Sequence, residues 1–212
     1  AFDAGTFDRV WIWTGAAYAK LQPAVNNGAS AGEFGPEFGL AARWMRETTS
    51  GNLYREKHAF SGVSIDPYFT PGNYYYNLAV TERTQADAWL ATNSISLIDS
   101  GWLWVQGESD AGQSQSLYQT RLESLIDGRT TDGFQDAATK RVLMKMHPST
   151  STYGPGPSAA KDAAASASPS NVSAVLMPYY MNADNIHLNG RGQVQLGYDA
   201  FEHIFGVAHK SA

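Results

Sequence analysis

An aspartate and a histidine stand three positions apart in the stretch DNIHLNGRGQ, residues 184–193. A histidine with a pKa near neutrality can accept a proton from a hydroxyl group and return it to a leaving group. A carboxylate on the other ring nitrogen fixes the tautomer and the orientation of the ring. Asp184 and His187 are therefore candidates for an acid–base pair. The same spacing also fits an ordinary turn, in which Asp184 accepts backbone N–H groups and His187 only packs.

A second candidate stretch is WLWVQGESDA, residues 102–111, in which a short apolar run leads directly to polar residues. The side-chain amide of Gln106 is a hydrogen-bond donor, which a developing oxyanion requires. Glu108 could orient a histidine or organise the loop. In the alternative interpretation, Glu108, Ser109 and Asp110 are caps and first-turn acids of the following helix.

A third candidate is AFSGVSID, residues 59–66, because the backbone N–H of Gly62 could approach a substrate oxygen closely. The alternative for Gly62 is a simple turn. The aromatic loop predicted at residues 63–77 includes Tyr74 and Tyr75, whose rings suit stacking on a sugar. Ordinary packing within the loop is the alternative for these tyrosines.

Composition excludes several functional classes. The net charge of −5 provides no basic field for nucleic acid or an anionic membrane, and no apolar run reaches the ~18 residues that span a bilayer. Cysteine is absent, which rules out disulfides, thiolate ligands and a cysteine nucleophile. Neither the acids nor the other histidines show metal-ligand spacing, so we expect no metal or cofactor. Those histidines are interpreted as structural: His58, His147, His203 and His209.

Predicted strands alternate with helices of 10 to 15 residues along a single domain, residues 1–212. This alternation predicts an α/β fold, a three-layer α/β/α sandwich with a mainly parallel central sheet. A β-hairpin at 9–21 precedes it, and an alanine-rich stretch within 149–171 is interpreted as a solvated surface helix. The other predicted helices are 36–47, 79–93, 116–128 and 192–205, and the predicted strands are 52–60, 101–106, 141–146 and 172–177.

The three candidate stretches each follow a predicted strand. Parallel sheets place ligands at the carboxyl ends of their strands, so we expect Gly62, Gln106 and the Asp184–His187 pair to converge at one end of the sheet.

Taken together, WVQGESDA, GPEFGLA (35–41), FSGVS and DNIHLNGRGQ resemble the SGNH hydrolase superfamily. Within that superfamily, the stretches resemble specifically the sialate O-acetylesterase-like group, which includes acetylxylan esterases of carbohydrate esterase family six. It implies a flavodoxin-like fold and a serine esterase that removes acetyl groups from a carbohydrate. His187 would be the general base, Asp184 its orienting acid, and Gln106 and Gly62 the oxyanion donors. Glu108 would belong to the catalytic motif, and Glu37 would support the site.

The sequence departs from this family at the nucleophile. The family's attacking serine lies in a GQSN-like motif after the first, central strand, and no such motif occurs here. Ser61, Ser64 and Ser149 offer hydroxyl groups, but none stands in that context. We therefore expect an upstream segment of a longer polypeptide, or another chain, to supply the strand and the serine.

The competing hypothesis is a catalytically silent carbohydrate-binding or structural module. The sequence VWIWTG in the predicted hairpin, followed by LQPAVNN, also resembles the corresponding sequences of phage and prophage proteins. An extracellular or virion-associated location is therefore favoured.

Overall fold

The computed structural model describes residues 7–23, 34–136, 139–176 and 180–207. Strands alternate with helices in this part of the chain. The elements in order are β1 (Val10–Trp13), β2 (Tyr18–Lys20), α1 (Glu37–Glu47), β3 (Leu53–Arg55), α2 (Tyr74–Thr92), β4 (Gly101–Val105), α3 (Gln115–Thr131), β5 (Lys140–Lys145), α4 (Pro155–Ala167), β6 (Asn171–Val175) and α5 (Gly190–Phe205).

The strands form two three-stranded sheets, in the orders β2–β1–β3 and β4–β5–β6. β1 and β2 pair in antiparallel fashion, whereas β1 with β3, β4 with β5 and β5 with β6 are parallel. The predicted α/β class with mainly parallel pairing is thus confirmed. The N-terminal hairpin is also confirmed, but it is part of a sheet, since Val10 of β1 lies opposite Leu53 of β3. Within the described residues the central sheet is divided into two halves, and β3 and β4 each have one unpaired edge.

Helices cover both faces of these half-sheets. Side chains of β5 alternate between the faces, as the two-residue period of a strand requires. Val142 and Met144 pack into a core shared with α1 and α5, and this core also takes in Ile12 of β1. Leu143 faces the opposite way, toward α3 and α4. On that same side α2 packs against the hairpin through Leu90 and its neighbours.

Helices α1 and α5 touch along their backbones. A Cβ atom on Gly39 would collide with the carbonyl group of Val194, and one on Gly197 would collide with the carbonyl oxygen of Pro36. Only hydrogen at these positions allows the approach. Because α1 packs on β1 and α5 packs on β5, this contact fixes the two half-sheets relative to each other.

Several predicted boundaries were wrong for identifiable reasons. Helix α2 begins at Tyr74, so Tyr74 and Tyr75 lie in its first turn instead of a loop. Helix α3 continues through Gly128, which the sequence had suggested as its end. A Cβ at Gly128 would lie 2.7 Å from the hydroxyl oxygen of Tyr76, so this glycine permits a close approach and does not end the helix.

The predicted strand at 52–60 is regular only at β3, with the remaining residues irregular. The predicted alanine-rich surface helix is confirmed as α4, which has one exposed face and one buried face. Within the described chain, no helix combines the length and apolar character needed to cross a bilayer.

Candidate active site

The Asp184–His187 pair forms within a tight loop that follows β6. Nδ1 of His187 lies 2.7 Å from Oδ2 of Asp184, while Oδ1 accepts the backbone N–H groups of Ile186 at 2.9 Å and His187 at 3.0 Å. The carboxylate therefore shapes the turn and orients the imidazole at once, so both sequence interpretations of Asp184 apply. Because its other nitrogen is engaged, the imidazole keeps Nε2 for proton exchange with a substrate-side group.

Hydrogen bonds also set the charge of this carboxylate. The bond with His187, followed by the backbone bonds from Ile186 and His187, lowers the pKa of Asp184 to about 2. Asp184 is consequently ionised throughout the pH range in which an imidazole titrates. The His187 side chain is 70% exposed, which leaves it open to a substrate.

The loop after β5 supports the histidine loop. The amide of Asn185 donates to the carbonyl oxygen of Ser149 at 2.6 Å, and the N–H of Ser151 donates to the carbonyl oxygen of Asn185 at 3.2 Å. The hydroxyl of Ser149 lies 2.9 Å from Nδ1 of His147, which also accepts the N–H of Ser149 at 3.2 Å. The polar groups of Ser149 are thus engaged in a local turn and in the support of Asn185.

Gln106 follows β4 directly, and its side chain is buried in a network of hydrogen bonds. Its Nε2 donates to the carboxylate of Asp110 and, at 3.2 Å, to the carbonyl oxygen of Val63. Its Oε1 accepts the hydroxyl of Tyr118 at 2.8 Å. The bond to Val63 joins the end of β4 to the segment that follows Gly62. The sequence had predicted that Gly62 and Gln106 lie close together. Gly62 itself is exposed, with a φ of 69° and open space around the position of a Cβ.

Asp110 organises this junction, and the sequence interpretation of it as a helix cap was wrong. Its carboxylate is 1% exposed and accepts the N–H of Ile65 at 2.8 Å together with the amides of Gln106 and Gln113. The N-cap of α3 is Ser114, whose hydroxyl accepts the N–H of Leu117 at 3.3 Å. Asp110 therefore links the loop after Gly62 with the loop after β4.

Lys161 of α4 is a second site-supporting residue that sequence reasoning missed. The side chain is 1% exposed, and its Nζ donates to the carbonyl oxygens of Gln106 and, at 2.6 Å, Met144. Nζ of Lys161 lies next to Gly107, where a Cβ atom would be 3.4 Å from it. Gly107 has a φ of 142°, a conformation that favours glycine. Lys161 thus holds the peptide that connects Gln106 to Gly107.

Burial lowers the pKa of Lys161 to about 8, although the charges of Glu108 and Asp110 oppose the shift. Between this value and the ordinary lysine pKa, the unfolded chain binds more protons than the folded one, so stability must rise with pH. Relative to a Lys161→Met variant, we expect the unfolding free energy of the unmodified chain to rise by roughly 3 kcal/mol between pH 8 and pH 10.5. Urea unfolding of both proteins across this range would measure it. If the difference in unfolding free energy between the two proteins did not change with pH, folding would not lower the pKa of Lys161.

One cavity of about 1060 Å³ brings most of the candidate residues together. Its lining includes Glu37, Tyr75, Gln106, Glu108 and His187. Glu37 is buried as a support: its carboxylate accepts the N–H of Gly35 at 2.8 Å and pairs with Lys57 at 3.0 Å.

The aromatic residues predicted to stack on sugars differ in availability. The ring of Tyr75 is stacked on Phe60, with centroids 3.7 Å apart, whereas Tyr74 is 71% exposed beside it. Tyr74 is therefore the one of the two with a free face. Among the residues that the structure describes, no three His, Asp or Glu side chains cluster as metal ligands.

The family model described as carbohydrate esterase, sialic acid-specific acetylesterase matches residues 12–205. The crystal structure of a protein from Arabidopsis thaliana is similar in fold, with a TM-score of 0.68 and 17% sequence identity. The match covers 93% of this chain and 81% of the plant protein's chain. Comparison with curated proteins gave no match.

Proposed function

Because the chain belongs to the carbohydrate esterase family of sialic acid-specific acetylesterases, we propose that it removes O-acetyl groups from a carbohydrate by serine-esterase chemistry. The observation that carries this proposal is the imidazole of His187, held by Asp184 at 2.7 Å on the wall of the cavity that Gln106 also lines. A base with one nitrogen engaged by a carboxylate and the other free is the arrangement that ester attack by a hydroxyl requires.

The reaction proceeds in two balanced halves. A serine oxygen bonds to the acetyl carbonyl carbon while its proton passes to Nε2 of His187, and the carbonyl oxygen becomes an oxyanion. The bond from carbon to the sugar oxygen then breaks, and His187 returns the proton to that oxygen. Water attacks the acetyl-serine with His187 again as base, so that acetate leaves and the serine hydroxyl is restored.

Two groups are proposed to stabilise the oxyanion: the backbone N–H of Gly62 and the side-chain amide of Gln106. In the present structure both Nε2 hydrogens of Gln106 are engaged, and the bond to Val63 is the longer at 3.2 Å. Turning that hydrogen from Val63 to the oxyanion would keep the bond to Asp110, which anchors the amide. Such a preorganised donor contributes about 10²- to 10³-fold in kcat.

Among the described residues, no serine stands in the GQSN-like motif in which the family's nucleophile lies. The hydroxyl of Ser149 interacts with His147, which the support role of that loop explains. The family resemblance instead implies a serine on a turn that follows a central strand.

The test is acetate release from an O-acetylated oligosaccharide by the full natural polypeptide, with the deacetylated sugar as the control ligand. We expect release of one acetate per ester and weaker binding of the deacetylated sugar. A full-length protein that binds the acetylated sugar tightly but releases no acetate would contradict the enzyme and favour a binding module.

Tyr74 is expected to contribute to sugar binding because its ring is exposed beside the cavity-lining Tyr75. Tyr74→Ala should raise KM for an acetylated oligosaccharide by about 2- to 13-fold, in line with the loss of ~0.5–1.5 kcal/mol of aromatic stacking. The KM for a small acetate ester should not change. Leu117→Ala, at another exposed apolar position, is the matched control. If Tyr74→Ala raised KM equally for both substrates, Tyr74 would not be a sugar-binding residue.

A further inference from the structure

The carbonyl group of Gln106, directly after β4, points toward β5. The N–H of Lys140 donates to the carbonyl oxygen of Ser100 at 3.3 Å, so Ser100 directs its backbone groups toward β5. Every second residue of a paired strand does the same, which places the carbonyl of Gln106 on that side as well. The contacts of Lys161 agree, because its Nζ binds the carbonyl oxygens of both Gln106 and Met144 of β5.

The N–H of Gly107 belongs to the same peptide group as this carbonyl. The peptide is trans, since the cis bond in the described chain is the one between Asp66 and Pro67. In a trans peptide the C=O and N–H groups point in opposite directions. The N–H of Gly107 therefore points away from β5, toward the edge of β4 at which its neighbours Gln106 and Glu108 line the cavity.

This N–H group has no acceptor among the described residues, although Gly107 is buried. The carbonyl oxygen of the same residue does have a partner, because it accepts the N–H of Asp110 at 3.2 Å. Buried backbone N–H groups are nearly always paired, so one that is not requires an explanation. An oxygen atom of a ligand in the adjoining cavity would supply the acceptor.

We propose that the N–H of Gly107 is a third donor to the oxyanion and that Lys161 is the residue that positions it. This role rests on the proposed function, since it requires an oxyanion to form in the cavity. Gly107 follows Gln106 directly, so one turn at the end of β4 presents both a backbone N–H and a side-chain amide. Backbone N–H groups combined with amide side chains are a common construction of oxyanion holes.

The ammonium group of Lys161 acts on Gly107 through the peptide. By holding the carbonyl oxygen of Gln106, it fixes the plane of the peptide and hence the direction of the N–H. A cation at the carbonyl oxygen also polarises the peptide and strengthens its N–H as a donor. Orientation and polarity are thus set before a negative charge develops, which is the condition for effective stabilisation of a transition state.

This effect should depend on pH, because the charge of Lys161 is lost in the mildly basic range. Burial lowers its pKa to about 8, and Lys145 of β5 acts in the same direction, whereas Glu108 and Asp110 of the loop after β4 oppose the shift. From α3, the ring of Tyr118 faces Nζ with its centroid 5.7 Å away. Lys161 is a cation below this pKa and neutral above it, so the polarisation of the peptide should decrease as the pH rises through about 8.

Kinetics of the full natural polypeptide with an activated acetate ester test the proposal. Lys161→Met should lower kcat by about 10²-fold with little change in KM, because the misplaced donor acts on an oxygen that is charged only in the transition state. In the unmodified enzyme kcat/KM should fall above pH 8, and this fall should be absent in Lys161→Met. The matched control is Lys145→Met, which removes a lysine paired with the exposed Asp162 and should keep kcat within about threefold.

A spectroscopic measurement on the unmodified enzyme does not depend on the folding of a variant. The full polypeptide, labelled with ¹⁵N-glycine, is treated with a p-nitrophenyl methylphosphonate ester, whose serine adduct carries an oxygen in place of the oxyanion. We expect the amide proton signals of Gly107 and Gly62 to move downfield in the adduct. The signal of Gly133, whose N–H already donates to Thr130 at 3.3 Å, should not move.

Two results would overturn the proposal and leave the esterase intact. The first is a Gly107 signal that does not respond to the adduct, as expected if its N–H is paired with another part of the polypeptide. The second is a kcat/KM profile of Lys161→Met that parallels the profile of the unmodified enzyme, which would reduce Lys161 to structural support. A polypeptide that neither releases acetate nor reacts with the phosphonate would instead overturn the proposed function, and with it the oxyanion that this donor requires.

Discussion

Replacing His187 with alanine should lower kcat for an acetate ester by about 10⁴- to 10⁶-fold in the full polypeptide, with little change in KM. The imidazole is the proposed carrier of the proton in both halves of the reaction, and Asp184 at 2.7 Å fixes its orientation. Asp184→Asn should cost roughly 10⁴-fold, because an amide would favour the wrong tautomer. The double variant should be little worse than His187→Ala, since the two groups act as one unit. Steady-state kinetics with an activated acetate ester would measure all three.

The matched control is His147→Ala, because His147 is also on a loop after a strand and interacts with a hydroxyl at 2.9 Å. We expect its kcat to stay within about threefold of the unmodified enzyme, as a support residue outside the chemistry should. A large loss in this variant together with retained turnover after His187→Ala would move the catalytic assignment to the His147–Ser149 pair.

The largest effect on stability is expected at Asp110. Asp110→Ala would leave the N–H of Ile65 and the amides of Gln106 and Gln113 without their acceptor in a buried site. Breaking such a network typically costs about 3–5 kcal/mol of unfolding free energy. Urea unfolding would measure the loss, and activity should fall with it because Gln106 loses its anchor.

Two comparisons make the Asp110 experiment specific. Asp110→Asn keeps one acceptor oxygen and should lose less than the alanine variant. Asp162→Ala removes a carboxylate whose side chain is 52% exposed in its pair with Lys145, so it should cost about 1 kcal/mol or less. Equal losses at Asp110 and Asp162 would show that the buried network contributes nothing beyond a surface pair.

Features that depend on residues close together in the sequence could be predicted from the sequence alone. Alternating and helical periodicities predicted the α/β class and most elements, and the three-residue spacing of Asp184 and His187 anticipated their contact. The remaining features depend on tertiary contacts. Lys161 stands in an alanine-rich run typical of a solvated helix, and only the packing of α4 on the sheet shows that it reaches the carbonyl oxygen of Gln106. Asp110 has the spacing of a helix cap, and only the approach of Ile65 reveals its role.

The same limit applies to the tyrosines and the sheet. Tyr74 and Tyr75 follow a stretch rich in turn residues, which obscured a helix start that lacks a side-chain cap. The periodicity of the strands did not reveal the division of the sheet, because each strand has a normal local pattern. Only the family resemblance implied that a central strand was missing from the sequence.

The glycine contact between α1 and α5 acts as a spacer that sets the width of the gap from outside the sheet. One helix is attached to each half-sheet, so a methyl group at Gly39 or Gly197 would act as a wedge between the halves. The wedge would push the two half-sheets apart and displace the residues of the candidate site, although neither glycine lines the cavity. Tuning of this esterase by mutation can therefore arise from its outer helical layer, where a comparison restricted to active-site residues would find nothing changed.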